Sequence, residues 1–158
     1  MVRLGKLTDY ALVLMTCIAR SEGRTLRTAR DLASESRLPL STVSKLLKEL
    51  LQSGMLTSHR GTKGGYILAR GPRDISVIDI IAAIEGPVAF TECTTDVTGL
   101  CGIEPCCPIK KNQQVINQAV RGVLEKITLA DLIEPLQLTA IQDARGRIVP
   151  SIATGRIQ

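Results

Sequence analysis

The feature that most constrains this fold is a series of short amphipathic helical patterns in the first half of the chain, closed by a glycine-containing turn. Apolar residues recur at helical spacing over residues 7–20 and predict a first helix there. Thr28, followed three residues later by Asp31, has the spacing of a capping box and predicts a second, shorter helix that ends near Ser36. Helices this short are stable only when they bury their apolar faces against one another.

A third helix is predicted from about Pro39 to Ser53, because proline suits a first helical turn and Ser41 or Thr42 can cap free amides there. Its predicted inner face is apolar and consists of Val43, Leu46, Leu47, Leu50 and Leu51. Its outward face is polar and partly basic, and it carries Ser41, Thr42, Ser44, Lys45, Lys48 and Gln52.

Two short strands are predicted over 55–60 and 65–69, on either side of a turn at 61–64 whose glycines permit the positive φ of a tight hairpin. Helix, short helix, helix and hairpin is the order of a winged helix-turn-helix. In that design one helix enters the major groove of DNA, and the hairpin contacts phosphates or the minor groove. The predicted fold class is therefore mainly α with a small β-hairpin wing. The predicted DNA-binding residues are Thr28, Ser41, Thr42, Ser44, Lys45, Lys48, His59, Arg60, Thr62 and Lys63.

Charge separates the two halves of the 158-residue chain, whose formal net charge is +5. Residues 1–75 carry 13 Lys and Arg against 6 Asp and Glu, whereas residues 76–158 carry 7 against 9. A basic half suits a polyanionic partner, here a double-stranded DNA operator. Aromatic residues make up only 2% of the chain, which is too few for the stacking platform of a single-strand reader.

The remaining composition predicts a cytoplasmic protein with no membrane contact and no small-molecule substrate. No apolar stretch approaches the roughly 18 residues that a membrane span needs, and the N-terminal segment lacks a secretory processing site. Five cysteines stay reduced in the cytoplasm, so their clustering indicates metal or redox chemistry rather than disulfides.

Residues 76–108 are predicted to connect the DNA-binding domain, residues 1–75, to the rest of the chain. Ser76 and Asp79 predict a capped helix that ends near Glu85, before a glycine and a proline. The loop that follows carries four of the five cysteines and has little apolar patterning. Such a segment is hard to fold unless something binds it.

Residues 109–136 are predicted to form a long dimerisation helix, to about Lys126, and a short terminal helix capped by Thr128 and Asp131. A narrow apolar seam on the long helix is typical of packing along a partner helix. The seam consists of Ile116, Ala119, Val120, Val123 and Ile127. Over 137–158 the apolar pattern fades, which predicts a flexible tail.

The cysteine loop contains Cys93, Cys101, Cys106 and Cys107, with no C-x-x-C pair. This spacing argues against a zinc knuckle or a thioredoxin-type dithiol, whereas thiolates on a flexible loop can ligate an iron-sulfur cluster. Two adjacent cysteines do not both reach one cluster without strain, so three of the four form the predicted set. Two further alternatives are a structural zinc module and a thiol-based redox enzyme, although the loop has no histidine to serve as a base.

Several motifs together resemble a known family of regulators. They are "LGKLTDYAL" in the first helix, "LPLSTVSKLLKELLQSG" in the third, "HRGTKGGYIL" in the wing, the cysteine loop, and "ITLADL". Over residues 1 to about 135 the chain resembles the Rrf-type iron-sulfur winged-helix regulators typified by IscR and NsrR, with the strongest likeness to regulators of SUF-system cluster assembly. The resemblance implies a homodimeric transcription factor whose long helices cross, and whose [2Fe-2S] or [4Fe-4S] cluster sets operator affinity.

The resemblance also implies a set of cluster ligands. Cys101 and Cys107, with five residues between them, match the family interval, so Cys93, Cys101 and Cys107 are the implied thiolate ligands and Cys106 is the alternative to Cys107. The interval between Cys93 and Cys101 is longer than the family's usual one.

The fourth ligand differs between branches of the family. IscR-like members have a histidine three residues after the third cysteine, where this chain has Lys110, whose ammonium cannot ligate. NsrR-like members use an aspartate on the first helix that reaches across the dimer, and Asp9 lies at the matching position. Glu92 and Glu104 are the rival oxygen donors.

The expected function is repression of iron-sulfur cluster assembly (suf) genes at a palindromic operator, with the cluster-bound form as the repressor. The alternative within the same fold is a nitric oxide or redox sensor, because the implied oxygen ligand is the one that such proteins use.

Overall fold

The computed structural model describes residues 4–21, 25–61, 63–95, 97, 99–143 and 145–153. Three helices and a hairpin form the first half: α1 (Lys6–Arg20), α2 (Ala29–Ser36), α3 (Leu40–Gln52), β1 (Leu56–His59) and β2 (Gly65–Leu68). The second half contains α4 (Val77–Glu85), α5 (Lys110–Lys126), β3 (Gln137–Gln142) and β4 (Ile148–Ala153), with 3₁₀ turns over Pro72–Asp74, Glu92–Thr94 and Glu104–Cys106. The predicted fold class, mainly α with a β-hairpin wing, is confirmed. Within the described residues, no helix is both long and apolar enough to cross a membrane.

One hydrophobic core joins α1, α2, α3 and the wing. The fully buried side chains include Leu14 and Ile18 of α1, Leu32 of α2, and Leu46 and Leu50 of α3. Each such side chain contributes about 1.5–3 kcal/mol through removal of apolar surface from water. The core therefore fixes α3 with its predicted apolar face inward and its polar face outward.

Capping explains where two of the helices begin. The predicted capping box at α2 is present, with the Thr28 hydroxyl accepting from the Asp31 amide and the Asp31 carboxylate accepting from the Thr28 amide. Ser76 and Asp79 form the same box at α4. Each box satisfies two of the backbone donors that a helix start leaves free.

At α3 the predicted side-chain cap is wrong. The N-cap residue is Pro39, with no side-chain hydrogen bond, and Ser41 and Thr42 lie inside the helix. Because Leu40 already has helical geometry, the two hydroxyl groups come too late to cap and belong to the outer face instead.

The wing depends on a turn glycine with positive φ and on one close backbone approach. β1 and β2 pair antiparallel with Leu56 opposite Leu68 and His59 opposite Gly65. Gly61 has a φ of +112° in the turn, a conformation that residues with a side chain rarely adopt. A Cβ on Gly65 would lie 2.7 Å from the Arg27 carbonyl oxygen, because Arg27 and Tyr66 exchange backbone hydrogen bonds beside it. The segment before α2 is thus tied to the wing.

The predicted short helix after α5 is wrong, although its cap is present. Thr128 donates its amide and its hydroxyl to the Asp131 carboxylate, but residues 128–134 contain only turns and one isolated bridge. The amides of Leu129 and Ala130 donate to the carbonyls of Ile75 and Pro72. The amides of Asp131, Leu132 and Ile133 donate to the carbonyls three residues earlier, so the segment forms successive tight turns in place of an α-helix, which needs bonds to the fourth residue back.

The predicted flexible tail is also wrong over residues 137–153. β3 and β4 form an antiparallel hairpin with Leu138 opposite Ile152 and Gln142 opposite Ile148. The turn is closed by the Asp143 carboxylate, which accepts from the amides of Arg145 and Arg147. Ile152 packs against a small core of Val77, Ile81 and Ile127, so the hairpin is anchored by apolar contact. The rest of the predicted tail, residues 154–158, lies outside the described residues.

Candidate functional site

The outer face of α3 displays the predicted recognition side chains. Ser41, Ser44, Lys45 and Lys48 are exposed and Thr42 is half-buried, whereas the opposite face of the helix is buried in the core. Lys45 lies 3.9 Å from Glu49, one turn further along, and the exposed pair leaves the ammonium in contact with solvent. A rigid helix with an outward row of hydroxyl and ammonium donors is suited to base edges and phosphates.

The wing places a second set of donors beside its turn. His59, Arg60 and Lys63 are exposed, while Thr62 lies outside the described residues. Thr28 is exposed as well, but its hydroxyl already serves the capping box of α2.

Sequence reasoning missed two basic residues beside α3. Arg37, in the turn before α3, has a left-handed φ of 56° and an exposed side chain. Arg30 on α2 is also exposed. The first helix of a helix-turn-helix pair crosses the DNA backbone, so basic residues on α2 and in the turn after it were an available sequence signal for phosphate contacts.

The cysteine loop leaves α4 and crosses to α5 with its thiols partly accessible. Cys93, Cys101 and Cys107 are half-buried and Cys106 is exposed. Cys93 lies in a 3₁₀ turn, where its Sγ is 3.4 Å from the Thr91 hydroxyl. The Cys106 Sγ faces the Ile103 carbonyl at 3.5 Å, within the second loop turn. Cys17 lies apart from this group, in the core, where burial raises the pKa of its thiol.

Two α5 side chains hold the start of this loop, and sequence reasoning did not single them out. The amide of Phe90 donates to the Asn117 Oδ1 at 3.2 Å, and the Arg121 guanidinium donates to the Val88 carbonyl at 3.3 Å. Asn117 is buried although it is polar. An asparagine within a helical apolar pattern was the available signal, since a buried amide requires a partner.

Lys110 forms an ion pair at the end of the loop. Its Nζ lies 3.0 Å from the Glu104 Oε1. The hydrogen bond from Lys110 lowers the pKa of the Glu104 carboxyl, and the same bond raises the pKa of Lys110, with smaller contributions from the nearby Cys93 and Cys107 thiols. The lysine at the family's histidine position therefore neutralises Glu104, one of the two rival oxygen donors.

A shallow pocket of about 430 Å³ opens beside this ion pair, lined in part by Cys101, Gly102 and Pro105. Across the described part of one chain, no three of the Cys, His, Asp and Glu side chains lie close enough to hold a metal ion. Asp9 is exposed on the first turn of α1 and is not gathered with the cysteines. The donor set, several thiols on one loop, fits an iron-sulfur cluster by its chemistry, and closing the set requires the loop to move.

The long helix α5 exposes most of its apolar seam. Ile116 and Val123 are 52% and 51% exposed, Ala119 is exposed and Val120 is half-buried. Ile127, just beyond the helix, is buried in the small core beneath α4. A row of apolar side chains left in solvent along a helix marks a surface that is covered by another element or chain.

Comparison with known proteins supports the assignment of the fold and identifies the family. The sequence model of the Rrf2 family, described as an iron-dependent transcriptional regulator, matches residues 4–135. The chain is 27% identical over 132 residues to the HTH-type transcriptional regulator NsrR of Shouchella clausii, covering 84% of this chain and 89% of that protein.

Solved structures of similar proteins cover the same region. They include CymR, the global cysteine regulator of B. subtilis, with a TM-score of 0.67, 28% identity and coverage of 84% of this chain and 97% of that chain. They also include T. potens IscR, with a TM-score of 0.64, 29% identity and coverage of 84% and 86%. With its helix-turn-helix, its β-hairpin wing and a family match over most of its length, the chain belongs to the Rrf2 family of DNA-binding, winged-helix transcriptional regulators.

Proposed function

We propose that this protein is a cytoplasmic, homodimeric regulator that senses an iron-sulfur cluster and represses iron-sulfur cluster assembly (suf) genes. The observation that carries the proposal is the position of the cysteine loop, which follows α4, a helix in contact with α1 and α3, and ends at the start of α5. A ligand that gathers the loop thiols therefore acts between the helices that read DNA and the helix proposed to hold the dimer together.

The DNA-binding residues carry out two distinct tasks in this proposal. Ser41, Thr42 and Ser44 contact base edges from the N-terminal turn of α3, with Lys45 and Lys48 alongside. Arg60 and Lys63 contact phosphates from the wing and fix the register of the protein on the duplex. Two copies related by a two-fold axis read a palindrome whose half-sites lie about one helical turn apart.

The loop residues hold the sensed group. Cys93, Cys101 and Cys107 supply the thiolates, Cys106 is the alternative to Cys107, and Asp9 supplies the fourth ligand from α1. A bound iron-sulfur cluster would make the protein sensitive to oxidants, nitric oxide and iron shortage, because each of these conditions lowers the fraction of protein that carries a cluster. By linkage, a group bound more tightly in one dimer geometry stabilises that geometry, here the repressing one.

Anaerobic purification tests this proposal directly. Absorption and EPR spectra establish whether a cluster is present and of which type, since zinc gives neither colour nor signal. Fluorescence anisotropy with suf promoter DNA then compares the loaded and cluster-free forms at one salt concentration. A protein that binds zinc alone, or that binds DNA with one affinity in both forms, contradicts the proposal.

A second candidate, a nitric oxide or redox sensor of the same fold, is favoured by the exposure of Asp9 on α1 and by the pairing of Glu104 with Lys110. The ion pair with Lys110 disfavours Glu104 as the oxygen ligand, which leaves Asp9, at the position that NsrR-like members use, and Glu92. Selection of operators from random DNA, followed by location of the selected sequence in the genome, separates the candidates. Sites upstream of genes for nitric oxide detoxification would replace the first proposal with the second.

A further inference from the structure

The carboxylate of Glu85 joins the end of α4 to the start of α1. Its Oε1 accepts a hydrogen bond from the Gly5 amide at 2.7 Å and another from the Thr8 hydroxyl. Thr8 is fully buried, and its hydroxyl finds its acceptor on Glu85. Residues 80 positions apart in the sequence thus share one short contact.

Glu85 does for α1 what capping side chains do for α2 and α4. The N-cap of α1 is Gly5, which makes no side-chain capping bond, so this helix start lacks a cap from its own segment. A carboxylate at a helix start satisfies free amides and interacts favourably with the positive end of the helix dipole. A Cβ on Gly5 would lie 2.7 Å from the Glu85 Oε1, which shows how closely the two elements fit.

Glu85 also lies immediately before the cysteine loop. Glu85 is the last residue of α4, and Gly86, with a φ of +87°, turns the chain into the loop. Within the next four residues the loop backbone is fixed to α5 by Arg121 at Val88 and by Asn117 at Phe90. The segment between α4 and Cys93 is therefore short, with Glu85 bonded to α1 at one end and Phe90 bonded to α5 near the other, so a joint movement of α5 and the loop would act on Glu85.

We propose that Glu85 is the positioning residue that couples the cysteine loop to the DNA-binding half. When the loop changes conformation, Glu85 moves with the end of α4 and alters the start of α1, where Asp9 lies one residue beyond Thr8. Because α1 packs in the same core as α3 and the wing, its position bears on the DNA-binding surface. The inference rests on the proposed function for its biological meaning, but the hydrogen bonds of Glu85 to Gly5 and Thr8 are present without any bound group.

The first experiment uses hydrogen exchange of the full-length, cluster-free protein. Glu85→Ala removes the acceptor, and we expect exchange of the first-turn amides of α1 to accelerate about 5- to 30-fold, the range that corresponds to loss of a helix cap. Glu85→Gln keeps an acceptor oxygen and should retain most of the protection. Ser76→Ala is the matched control, since it removes a cap at the other end of the same helix and should leave α1 unchanged.

A second variant tests transmission through the junction. Asn117→Ala releases the loop backbone at Phe90, and we expect it to accelerate exchange in the first turn of α1 when Glu85 is present but not in the Glu85→Ala background. Thr8→Val, combined with Glu85→Ala, removes the hydroxyl that would otherwise be buried without a partner. If Glu85→Ala alone is poorly folded, exchange in the first turn of α1 is measured in this double variant instead.

Operator binding then tests the role in regulation. The protein is reconstituted anaerobically with ferrous iron and sulfide, and operator affinity is compared between the loaded and cluster-free forms. The ratio of the two affinities should differ from one in the wild type and in Glu85→Gln, and should be near one in Glu85→Ala. If Glu85→Gln loses the cluster, Glu85 is a ligand and the positioning role is overturned. If Asn117→Ala affects α1 equally in both backgrounds, the coupling is overturned. A protein that binds no cluster contradicts the proposed function, while the exchange experiments still decide this inference.

Discussion

Arg60 and Lys63 extend from the wing with exposed side chains, and cations in such positions release counterions from DNA when they bind. If each protomer contacts about four phosphates, the slope of log affinity against log salt is about −7. We expect Arg60→Ala or Lys63→Ala to weaken binding to all sequences alike and to flatten that slope by about two units each, because the homodimer loses the phosphate contact in both protomers. Affinity measured by anisotropy across a salt series checks this.

The side chains of α3 provide the control for the wing. Ser41 and Ser44 lie on the exposed face of the recognition helix, so their replacement should change which bases are preferred while the salt slope stays as it was. A wing variant that shifted base preference without changing the slope would show that the two tasks are assigned to the wrong elements.

Asp9 is exposed in the first turn of α1, and in the proposed function it supplies the fourth ligand to the cluster. A carboxylate is a harder and weaker ligand for iron than a thiolate, so Asp9→Ala should still assemble some cluster but lose it faster in air, and Asp9→Cys should hold it more firmly. Decay of visible absorbance in air measures both.

The comparison that isolates Asp9 uses the rival carboxylates. Glu92→Gln and Glu104→Gln should decay at the wild-type rate, since Glu104 is already paired with Lys110. Wild-type decay in Asp9→Ala, with faster decay in either glutamine variant, would move the fourth ligand into the loop.

Among the elements, the cysteine loop carries the sharpest prediction. Cys93→Ala, Cys101→Ala and Cys107→Ala should each abolish the cluster, whereas Cys106→Ala should keep it, because we expect only one of two adjacent cysteines to reach the cluster without strain. The core does not depend on these thiols, so far-ultraviolet circular dichroism should be nearly unchanged in all four. Loss of the cluster in Cys106→Ala, with retention in Cys107→Ala, would shift the third ligand by one residue.

Elements whose signals are local were predicted well from sequence. The capping boxes that begin at Thr28 and Ser76 each depend on two residues three positions apart, and both are present as predicted. The apolar face of α3 follows directly from its helical spacing, and four of its five predicted members are fully buried.

Elements decided by distant partners were not predicted. Thr128 and Asp131 have the local signal of a helix, but the segment forms successive tight turns, and its first amides donate to the carbonyls of Ile75 and Pro72. The hairpin of β3 and β4 packs against α4 through Ile152. The sequence of residues 137–153 has no periodic apolar pattern that predicts this contact. The α1 cap from Glu85 is likewise invisible in sequence, because its donors lie 80 and 77 residues away.

At the scale of the whole molecule, the loop, α4 and α1 form one continuous path from the cysteines to the DNA-binding half. The path consists of the hydrogen bond from the Phe90 amide to Asn117, the short segment back to α4, and the hydrogen bonds that Glu85 accepts from Gly5 and Thr8. A regulator built in this way needs only a small movement of the loop, since packed helices shift as units rather than deforming continuously.

The last prediction concerns the second copy of the chain. The exposed seam of α5, with Val123 and Ile116 about half exposed, is apolar enough to bury against a partner helix. A glutamate placed in such an interface would be desolvated without a partner. We therefore expect Val123→Glu to give a monomer in analytical ultracentrifugation and to bind a full palindrome no more tightly than a half-site. Gln118→Glu adds the same charge at another exposed position of α5 and should leave the dimer intact. If Val123→Glu remains dimeric and Gln118→Glu does not, the chains associate through a different face of α5, and the spacing of the two recognition helices must be derived from that face instead.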